Sequence, residues 1–286
     1  MNMQTEMFPP KGMTQFWLNG SERWHAEHEG MPSVRRGRYV IELVSPAEAS
    51  ALLAQHHYLG GRLPGKFYCH GVRDTEDGAL VGVATYGPGG APAIRKAAFP
   101  SLFVGFKEIR KASCAVLDRF VLLDGVPANA ETHILKLSFA LALEQGIRGI
   151  VSFSDPVART TLDGKVIFPG HIGQIYKGKG MIYTGRSSKE WCVIFKDGRI
   201  QPRRSLTAWA NAEGGHDYVY AELVAYGAPP ILADEPRAVW LERALPLVSR
   251  PFHHTGQHRY IARLDGCVEL SGRLVVQPYP RLEAVA

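Results

Sequence analysis

One carboxylate follows a short apolar run in the middle of the chain. Residues 150–154 read Ile-Val-Ser-Phe-Ser, and Asp155-Pro156 comes next. If this run is a strand of an α/β sheet, Asp155 lies at a carboxyl end, where such sheets bind ligands. A carboxylate placed there can accept a proton. The alternative is that Asp155 only caps the following turn, where Asp is common.

A pair of adjacent histidines is the second candidate for chemistry. His56 and His57 are followed by Tyr58 and by Gly60-Gly61. Neighbouring residues cannot face one point on a regular helix, so a loop has to present both if both act. An imidazole can accept a proton or bind a metal near neutral pH. A solvent-exposed histidine is the simpler interpretation.

Tyr176 is the third candidate. It lies in the segment Gly173-Gln174-Ile175-Tyr176, ahead of a predicted strand over 181–184. A phenol can protonate a leaving thiolate, whereas a tyrosine at this spacing can equally be a buried aromatic.

The start of a predicted helix over 129–145 is a possible phosphate site. The loop Val126–Asn129 opens this helix, Asn129 is a suitable N-cap and Gly146 a suitable terminator. Free N–H groups and the helix dipole favour an anion there. The glycine patterns of Walker and dinucleotide loops are absent from the sequence, as are GxSxG and HExxH.

The elements that position these residues follow a strand–helix–strand order. An apolar run from Val116, the helix over 129–145 and a strand over 149–154 predict an α/β fold (α+β) with a mixed central sheet flanked by helices. Residues 87–100 read as a long Gly/Pro/Ala loop of functional or mobile character. Further elements are predicted as strands at 38–44, 67–72, 79–86, 190–195 and 261–264, and as helices at 46–56, 218–225 and 237–245.

Three regions are expected along the chain. Residues 1–36 lack periodicity and predict an irregular lead-in. Residues 37–200 carry the predicted catalytic core. Residues 201–286 form a C-terminal extension that is expected to pack on the core and to complete the sheet.

Composition narrows the function classes. With 45% hydrophobic and 21% charged residues, the 286-residue chain can bury a large core and is not a disordered protein. We expect no membrane span, because no apolar run approaches about 20 residues, and no signal peptide. The four cysteines form no CxxC pair, which favours reduced thiols over a zinc site.

The net charge of +6 permits a nucleic-acid partner but does not establish one. The basic residues fall into clusters that can bind phosphates or can simply be a solvated surface. These clusters are Arg35, Arg36 and Arg38; Lys107, Arg110 and Lys111; Lys177, Lys179, Arg186 and Lys189; and Arg199, Arg203 and Arg204.

Taken together, these pieces resemble a known family. Their order is that of the GNAT acyltransferase superfamily, and the chain is more specifically similar to the Mom family of bacteriophage DNA-modification proteins. The resemblance covers about two thirds of the chain. It is carried by HHYLGGR at 56–62, VGVATYG at 81–87, LDRFVLLDGVPANAETHIL at 117–135, IVSFSD at 150–155, GHIGQIYKGKGMIYTG at 170–185 and HRYI at 258–261.

The resemblance implies a cofactor and its contacts. Acetyl-CoA is expected along the strand residues Phe120, Val121 and Leu122, with its pyrophosphate at Ala128 and Asn129. Arg119 and Thr132 match polar positions of the family motif. The chain departs from the family where Asn-x-x-Ser reads Asn129-Ala130-Glu131-Thr132, and where residues 156–169 form an insertion.

The resemblance also implies the reaction. Members of the family place a carbamoylmethyl group on the exocyclic amine of adenine in DNA, which shields phage DNA from restriction enzymes. By this analogy the catalytic residues are Asp155, His57, Tyr58 and Tyr176. The enzyme would act on double-stranded DNA with a flipped or opened adenine, in the cytoplasm of the phage-infected bacterial host.

The product raises the question of a metal. Ordinary acetyl transfer joins the amine to the carbonyl carbon, whereas a carbamoylmethyl product joins it to the methyl carbon. Either a C–H bond is activated or another donor is used. The first possibility suggests a redox metal, and for iron His57, Asp155 and His171 would supply two imidazoles and a carboxylate.

Two other functions stay open. One is an acetyl-CoA-dependent N-acetyltransferase of GNAT fold that acts on a small amine or a protein. The other is a DNA-binding protein without catalytic activity. For a base-stacking role on DNA, Tyr86, Phe106 and Trp209 are candidates, and all three are equally candidates for the core.

Overall fold

The structure is a computed structural model. It describes residues 13–16, 22–24, 34, 37–57, 60–61, 63, 68–89, 92–102, 114–123, 125–127 and 130–281. The strands of this part of the chain are β1 (Met13–Phe16), β2 (Glu22–Trp24), β3 (Tyr39–Leu43), β4 (Tyr68–Asp74), β5 (Leu80–Gly87), β6 (Cys114–Leu122), β7 (Gly149–Ser154), β8 (Arg159–Thr160), β9 (Val166–Phe168), β10 (Ile182–Arg186), β11 (Glu190–Phe195), β12 (Ile200–Pro202), β13 (Ser249–His254) and β14 (His258–Arg263). The helices are α1 (Pro46–His56), α2 (Pro92–Ala98), α3 (Ala130–Glu144), α4 (Gln174–Gly178), α5 (Arg203–Ala210), α6 (Tyr218–Ala225) and α7 (Arg237–Val248), with a 3-10 turn at Pro100–Leu102.

Two compact units share the chain. The first unit, here the core unit, comprises Met1–Pro156, His171–Arg186 and Gln257–Ala286. The second, the inserted unit, comprises Val157–Gly170 and Ser187–Gly256. This division differs from the boundary expected at residue 200. The chain enters the inserted unit twice, and the amide of Leu162 in the first segment donates to the oxygen of Lys196 in the second at 3.0 Å. Within the second segment, β11 pairs with β13, from Glu190 opposite His254 onward.

A seven-stranded mixed sheet forms the centre of the core unit, in the order β10-β14-β7-β6-β5-β4-β3. The pair β6–β7 is parallel and is connected through α3, whereas the other neighbouring strands of this sheet are antiparallel. The α/β fold with a mixed central sheet flanked by helices is therefore confirmed. β14, which comes from the last part of the chain, lies between β10 and β7.

Helices cover both faces of this sheet. Alternating residues of one strand pack on opposite sides, because side chains of a strand point alternately up and down. On β5, Ala84 packs in the cluster that contains Leu135 and Phe139 of α3, whereas Val83 packs in the cluster that contains Leu53 of α1.

Two helix boundaries agree with the sequence because local signals determine them. In α1, the amide of Glu48 donates to Oγ of Ser45 at 3.2 Å and the Glu48 carboxylate accepts from the Ser45 amide at 3.1 Å. This capping box fixes the first turn. After α3, Gly146 has φ +87° and ends the helix as expected.

The predicted loop over 87–100 is a wrong expectation. The described part of this stretch contains α2, whose Arg95 side chain is fully buried and donates to the main-chain oxygen of Pro88 at 3.0 Å. Tertiary burial of a short helix outweighed the Gly- and Pro-rich composition.

The inserted unit has its own core. It contains the sheet β12-β11-β13, the ribbon β8–β9 and helices α5 to α7. Trp209 and Trp240 meet edge to face at 5.1 Å in a cluster with Phe195 and Leu223. In the described residues, no helix of the protein is long and apolar enough to cross a membrane.

Candidate active site

The parallel strands β6 and β7 separate at their carboxyl ends. They pair only from Cys114 opposite Gly149 to Leu117 opposite Ser152. Beyond that point the remaining described residues of β6 pair with β5, and Phe153 and Ser154 of β7 pair with β14. A gap therefore opens in the sheet, at the edge where α/β sheets bind ligands.

A β-bulge lies where this gap begins. The register between β5 and β6 changes from Tyr86 opposite Leu117 to Thr85 opposite Arg119, so Asp118 is the extra residue. Bulges redirect a side chain and end regular pairing, and they are frequent next to active sites. Here the bulge places a carboxylate beside the gap.

The strand backbone beyond the bulge also faces the gap. The amide of Leu123 donates to the oxygen of Val81 on the β5 side at 2.8 Å. Because main-chain groups of a strand alternate in direction, the N–H and C=O of Phe120 turn toward the β7 side.

Two polar atoms in this region are buried without a hydrogen-bond partner among the described residues. They are Oδ2 of Asp118 and Nε of Arg119. Burial raises the pKa of Asp118 to about 6, and the neighbouring charge of Arg119 lowers it. Buried polar atoms are normally satisfied, so such a group of atoms indicates a place where a ligand supplies the partners.

Tyr176 lies in α4 on the other side of this opening. Its side chain is buried, and its hydroxyl donates a long hydrogen bond to the oxygen of Phe153 at 3.4 Å. Burial raises the pKa of Tyr176 to about 12, a hydrogen bond with Ser152 lowers it, and the Asp118 carboxylate raises it. Tyr176 and Asp118 are thus close enough to interact.

A glycine lets α4 approach the sheet. Gly173 has φ +71°, and a Cβ at this position would lie 2.8 Å from the Tyr176 ring and 2.9 Å from the Tyr260 ring. The two rings pack with centroids 5.1 Å apart, and the hydroxyl of Tyr260 donates to the oxygen of Ile172. Only glycine fits this position without displacing Tyr176.

Asp155 follows β7 at its carboxyl end, the position that the sequence predicts, and its side chain is buried. Its main-chain oxygen accepts from the amide of His171 at 2.7 Å. His57 is also buried, and it forms the C-cap of α1, where its amide donates to the oxygen of Leu53.

The predicted iron site is not formed in the described part of the chain. No group of three or more His, Cys, Asp or Glu side chains there lies close enough to hold a metal ion. His57, Asp155 and His171 therefore do not make a ligand set, because α1 packs against β4 and β5 while Asp155 follows β7 on the far side of β6. The residues present do not fit iron.

The residues that the sequence predicts to bind the cofactor lie in different environments in the structure. Val121 and Leu122 pack their side chains into the clusters on opposite faces of the sheet, and Phe120 is partly buried against the α3 side. Arg119 donates from Nη1 to the oxygen of Asp118 at 2.9 Å. Only the main chain of this strand can therefore line the gap along Phe120.

Thr132 lies in the first turn of α3, near α4. A Cβ on Gly178 would lie 2.8 Å from the Thr132 methyl group, so the two helices are in close contact there. Ala128 and Asn129, which were expected to hold the pyrophosphate, and the catalytic candidate Tyr58 lie outside the described residues.

Two of the aromatic candidates for stacking belong to the core. Tyr86 is fully buried, with its hydroxyl 2.6 Å from Oγ of Ser138, and Trp209 is 3% exposed. Phe106 lies outside the described residues. Some residues of the basic clusters form ion pairs. Arg199, for example, pairs with Asp197.

Comparison with known proteins now identifies the family. A model of the Mom protein family matches residues 38–281. The chain belongs to the Mom protein family. The match includes both units and every described element from β3 to β14.

Solved structures that this Mom family member resembles are more distant. One is a protein from Acinetobacter baylyi ADP1 with a provisional acetyltransferase name, at 15% identity and TM-score 0.32, over 57% of this chain and 88% of that one. Another is a tandem GNAT protein from the clavulanic acid biosynthesis pathway, at 12% identity and TM-score 0.34, over 68% of this chain. The match spans about half of that protein, 53% of its length. No curated protein matches the sequence.

Asp118 was missed by the sequence analysis. It stands in Val116-Leu117-Asp118-Arg119-Phe120, where a carboxylate interrupts a strand of apolar residues. That interruption was the available signal, because a carboxylate in a buried strand has to be solvated by something other than water.

Proposed function

We propose that this Mom family member is a transferase that modifies adenine in DNA, with acetyl-CoA as donor and a carbamoylmethyl adenine as product. The observation that carries the proposal is the gap between β6 and β7, with its group of unpartnered buried polar atoms. Membership of the Mom family supports DNA as the substrate class.

The polar groups at the gap suit the proposed donor. Its pantetheine arm would run along β6, where the N–H and C=O of Phe120 face the opening. The 15-residue helix α3 begins close by, and its first N–H groups would hold the pyrophosphate. Arg119 adds a positive charge beside the gap. The thioester would then lie near Asp118 and Tyr176.

The side chains at the gap suit transfer to an amine. A carboxylate can accept the proton that the amine loses, and the Tyr176 phenol can donate to the departing sulfur. Because burial raises the pKa of Tyr176, its proton is present throughout the physiological pH range. Asp155, buried after β7, is proposed to hold the adenine in position.

The carbamoylmethyl product demands further reactants. Joining the adenine nitrogen to the methyl carbon of the thioester removes two electrons and two protons, and conversion of the thioester to an amide consumes one ammonia equivalent and releases CoA. The reaction therefore needs a two-electron oxidant and an ammonia donor besides acetyl-CoA. The geometry of the described residues assigns no step to iron.

The test is the nucleoside composition of DNA from bacterial cells that express the full chain. Mass spectrometry should detect a deoxyadenosine that bears a carbamoylmethyl group. Asp155→Asn should reduce the modified fraction by about 10²-fold or more. Asp265→Asn is the matched control, because Asp265 pairs with Arg148 at 2.7 Å in a partly exposed position and should leave the modification unchanged.

Other results separate the competing functions. Acetylated amines or proteins with unmodified DNA would indicate the N-acetyltransferase alternative. Salt-sensitive DNA binding without acetyl-CoA binding in calorimetry would indicate the non-catalytic DNA-binding protein. Unmodified adenine together with no acetyl-CoA binding in a folded preparation would refute the proposal.

A further inference from the structure

Asp118 is a half-buried carboxylate whose Oδ2 atom is fully buried without an ion pair. Its Oδ2 has no hydrogen-bond partner among the described residues, and no ion pair in that part of the chain includes it. The guanidinium of Arg119, next in sequence, donates instead to the main-chain oxygen of Asp118. Such a carboxylate costs free energy, so its presence calls for a function.

The bulge directs this carboxylate to the place where the donor would react. Asp118 is the extra residue between Leu117 and Arg119, at the last point where β6 still has β7 beside it. Ser152, the last β7 residue paired with β6, donates to the oxygen of Leu117 at 3.3 Å. The Tyr176 hydroxyl lies near the same point, since it interacts with both Ser152 and Asp118. An acceptor and a donor of protons thus flank one opening.

We infer that Asp118 is the proton acceptor of the transfer reaction, taking the amine proton on its unpartnered Oδ2 as the new C–N bond forms. This inference rests on the proposed transferase function. The N–H bond breaks, its electron pair stays on nitrogen for the bond to the methyl carbon, and Asp118 later returns the proton to water. One C–H bond of that methyl group breaks at the same time, and the two-electron oxidant takes its electron pair together with the hydrogen. When ammonia then attacks the thioester carbonyl, the C–S bond breaks, the sulfur takes its proton from Tyr176, and the proton that ammonia loses restores the phenol.

The ionisation of Asp118 suits this role. Burial raises its pKa to about 6, against the lowering effect of the Arg119 charge. The nearby Tyr176 keeps its proton, so the phenol adds no charge. Asp118 is therefore largely ionised at neutral pH and yet more basic than an ordinary aspartate, which is the compromise that general-base catalysis favours.

The experiment compares Asp118→Asn with wild type and with Asp265→Asn. Transfer to adenine in an oligonucleotide is followed by mass spectrometry, in bacterial extract that supplies the co-reactants, across a pH range that spans about 6. Wild type should show a rate that rises through this pH and then levels. Asp118→Asn should lose about 10²- to 10⁴-fold in rate and lose the rising limb. Asp265→Asn should behave as wild type.

Two measurements separate a catalytic from a structural role. Calorimetric affinity for acetyl-CoA should be the same in Asp118→Asn and wild type. The unfolding midpoint of Asp118→Asn should be equal or higher at neutral pH, because the amide replaces a charged group that no ion pair stabilises. An Asp118→Glu variant keeps the carboxylate and should recover part of the rate.

Different results would refute the role of Asp118 and the proposed transferase function. Full activity of Asp118→Asn with an unchanged pH profile refutes the role of Asp118 and leaves the transferase function intact. A loss of rate that a loss of acetyl-CoA affinity explains also refutes it, since Asp118 would then bind the donor. If wild type transfers nothing to any acceptor, the proposed function and this inference fail together.

Discussion

Replacing Gly173 by alanine tests the packing that holds Tyr176 at the gap. An alanine Cβ would lie 2.8 Å from the Tyr176 ring, 2.9 Å from the Tyr260 ring and 3.0 Å from Oγ of Ser154. The left-handed backbone at φ +71° costs about 1–2 kcal/mol for a residue with a Cβ. Overpacking against the two rings adds about 1–3 kcal/mol. We therefore expect Gly173→Ala to lower the free energy of unfolding by about 2–5 kcal/mol.

Gly180 provides a matched control at the other end of α4. It also has a left-handed backbone, with φ +76°, but a Cβ there would meet nothing within 4 Å. Gly180→Ala should cost only the backbone term of about 1–2 kcal/mol. Urea unfolding of both variants, at equal pH and temperature, isolates the contact term as the difference.

The transfer activity of the two variants tests the position of Tyr176 independently of stability. The packing that rejects a Cβ at Gly173 also positions the Tyr176 hydroxyl, so the rate of transfer should fall in Gly173→Ala under conditions where the variant is folded. Gly180→Ala should keep its activity. Equal loss of stability in the two variants would show that Gly173 does not lie against the tyrosine rings, and the geometry of the site would have to be abandoned.

Two further predictions concern stability. His70 is buried between Oγ of Ser138 at 2.8 Å and Oε1 of Gln145 at 3.0 Å, and burial lowers its pKa. The pKa of His70 in the folded protein lies below the unfolded value of about 6.5, so its contribution to stability is complete above that pH and is lost as the pH falls toward the folded pKa. Urea unfolding over this pH range should show that the free energy of unfolding falls less steeply with falling pH in His70→Gln than in wild type. The same pH dependence in both proteins would contradict this prediction. Ser45→Ala removes the acceptor for the Glu48 amide and should cost about 1 kcal/mol; thermal unfolding that matches wild type would show that the capping box does not hold α1.

Local signals explain why some elements were predictable. Ser45, Pro46 and Glu48 define the start of α1, and Gly146 defines the end of α3, because each acts within a few residues of its own position. The position of Asp155 directly after β7 followed from the same kind of evidence, an apolar run that ends in a polar residue.

Other features depend on contacts between distant parts of the chain. The inserted unit exists because Glu190–Phe195 pairs with Ser249–His254, and no local pattern states that pairing. The insertion after Asp155, noted as a departure from the family pattern, is largely the first entry into this unit, Val157–Gly170. The boundary predicted at residue 200 falls inside the second segment of the inserted unit, Ser187–Gly256.

The bulge at Asp118 belongs to the same class. A carboxylate in a strand normally predicts a solvent-facing position, by alternation with apolar neighbours. The change in register between Tyr86 and Thr85 removes that alternation and leaves Asp118 half-buried at the gap. Register is set by the partner strand, so the sequence around Asp118 does not show it. Asp118 could therefore be recognised in the sequence as an unusual carboxylate within an apolar strand, but its place in the candidate site could not be predicted.

The contact between α3 and α4 connects the two halves of the proposed site. Thr132, in the first turn of α3, touches Gly178 at the end of α4, and Tyr176 lies within α4. A phosphate held at the start of α3 would draw on the same turn that supports α4. If the donor binds there, its binding and the position of the Tyr176 hydroxyl would be linked, because closely packed interiors transmit small displacements. The same contact explains why glycine is required at the end of α4, where any side chain would press on Thr132.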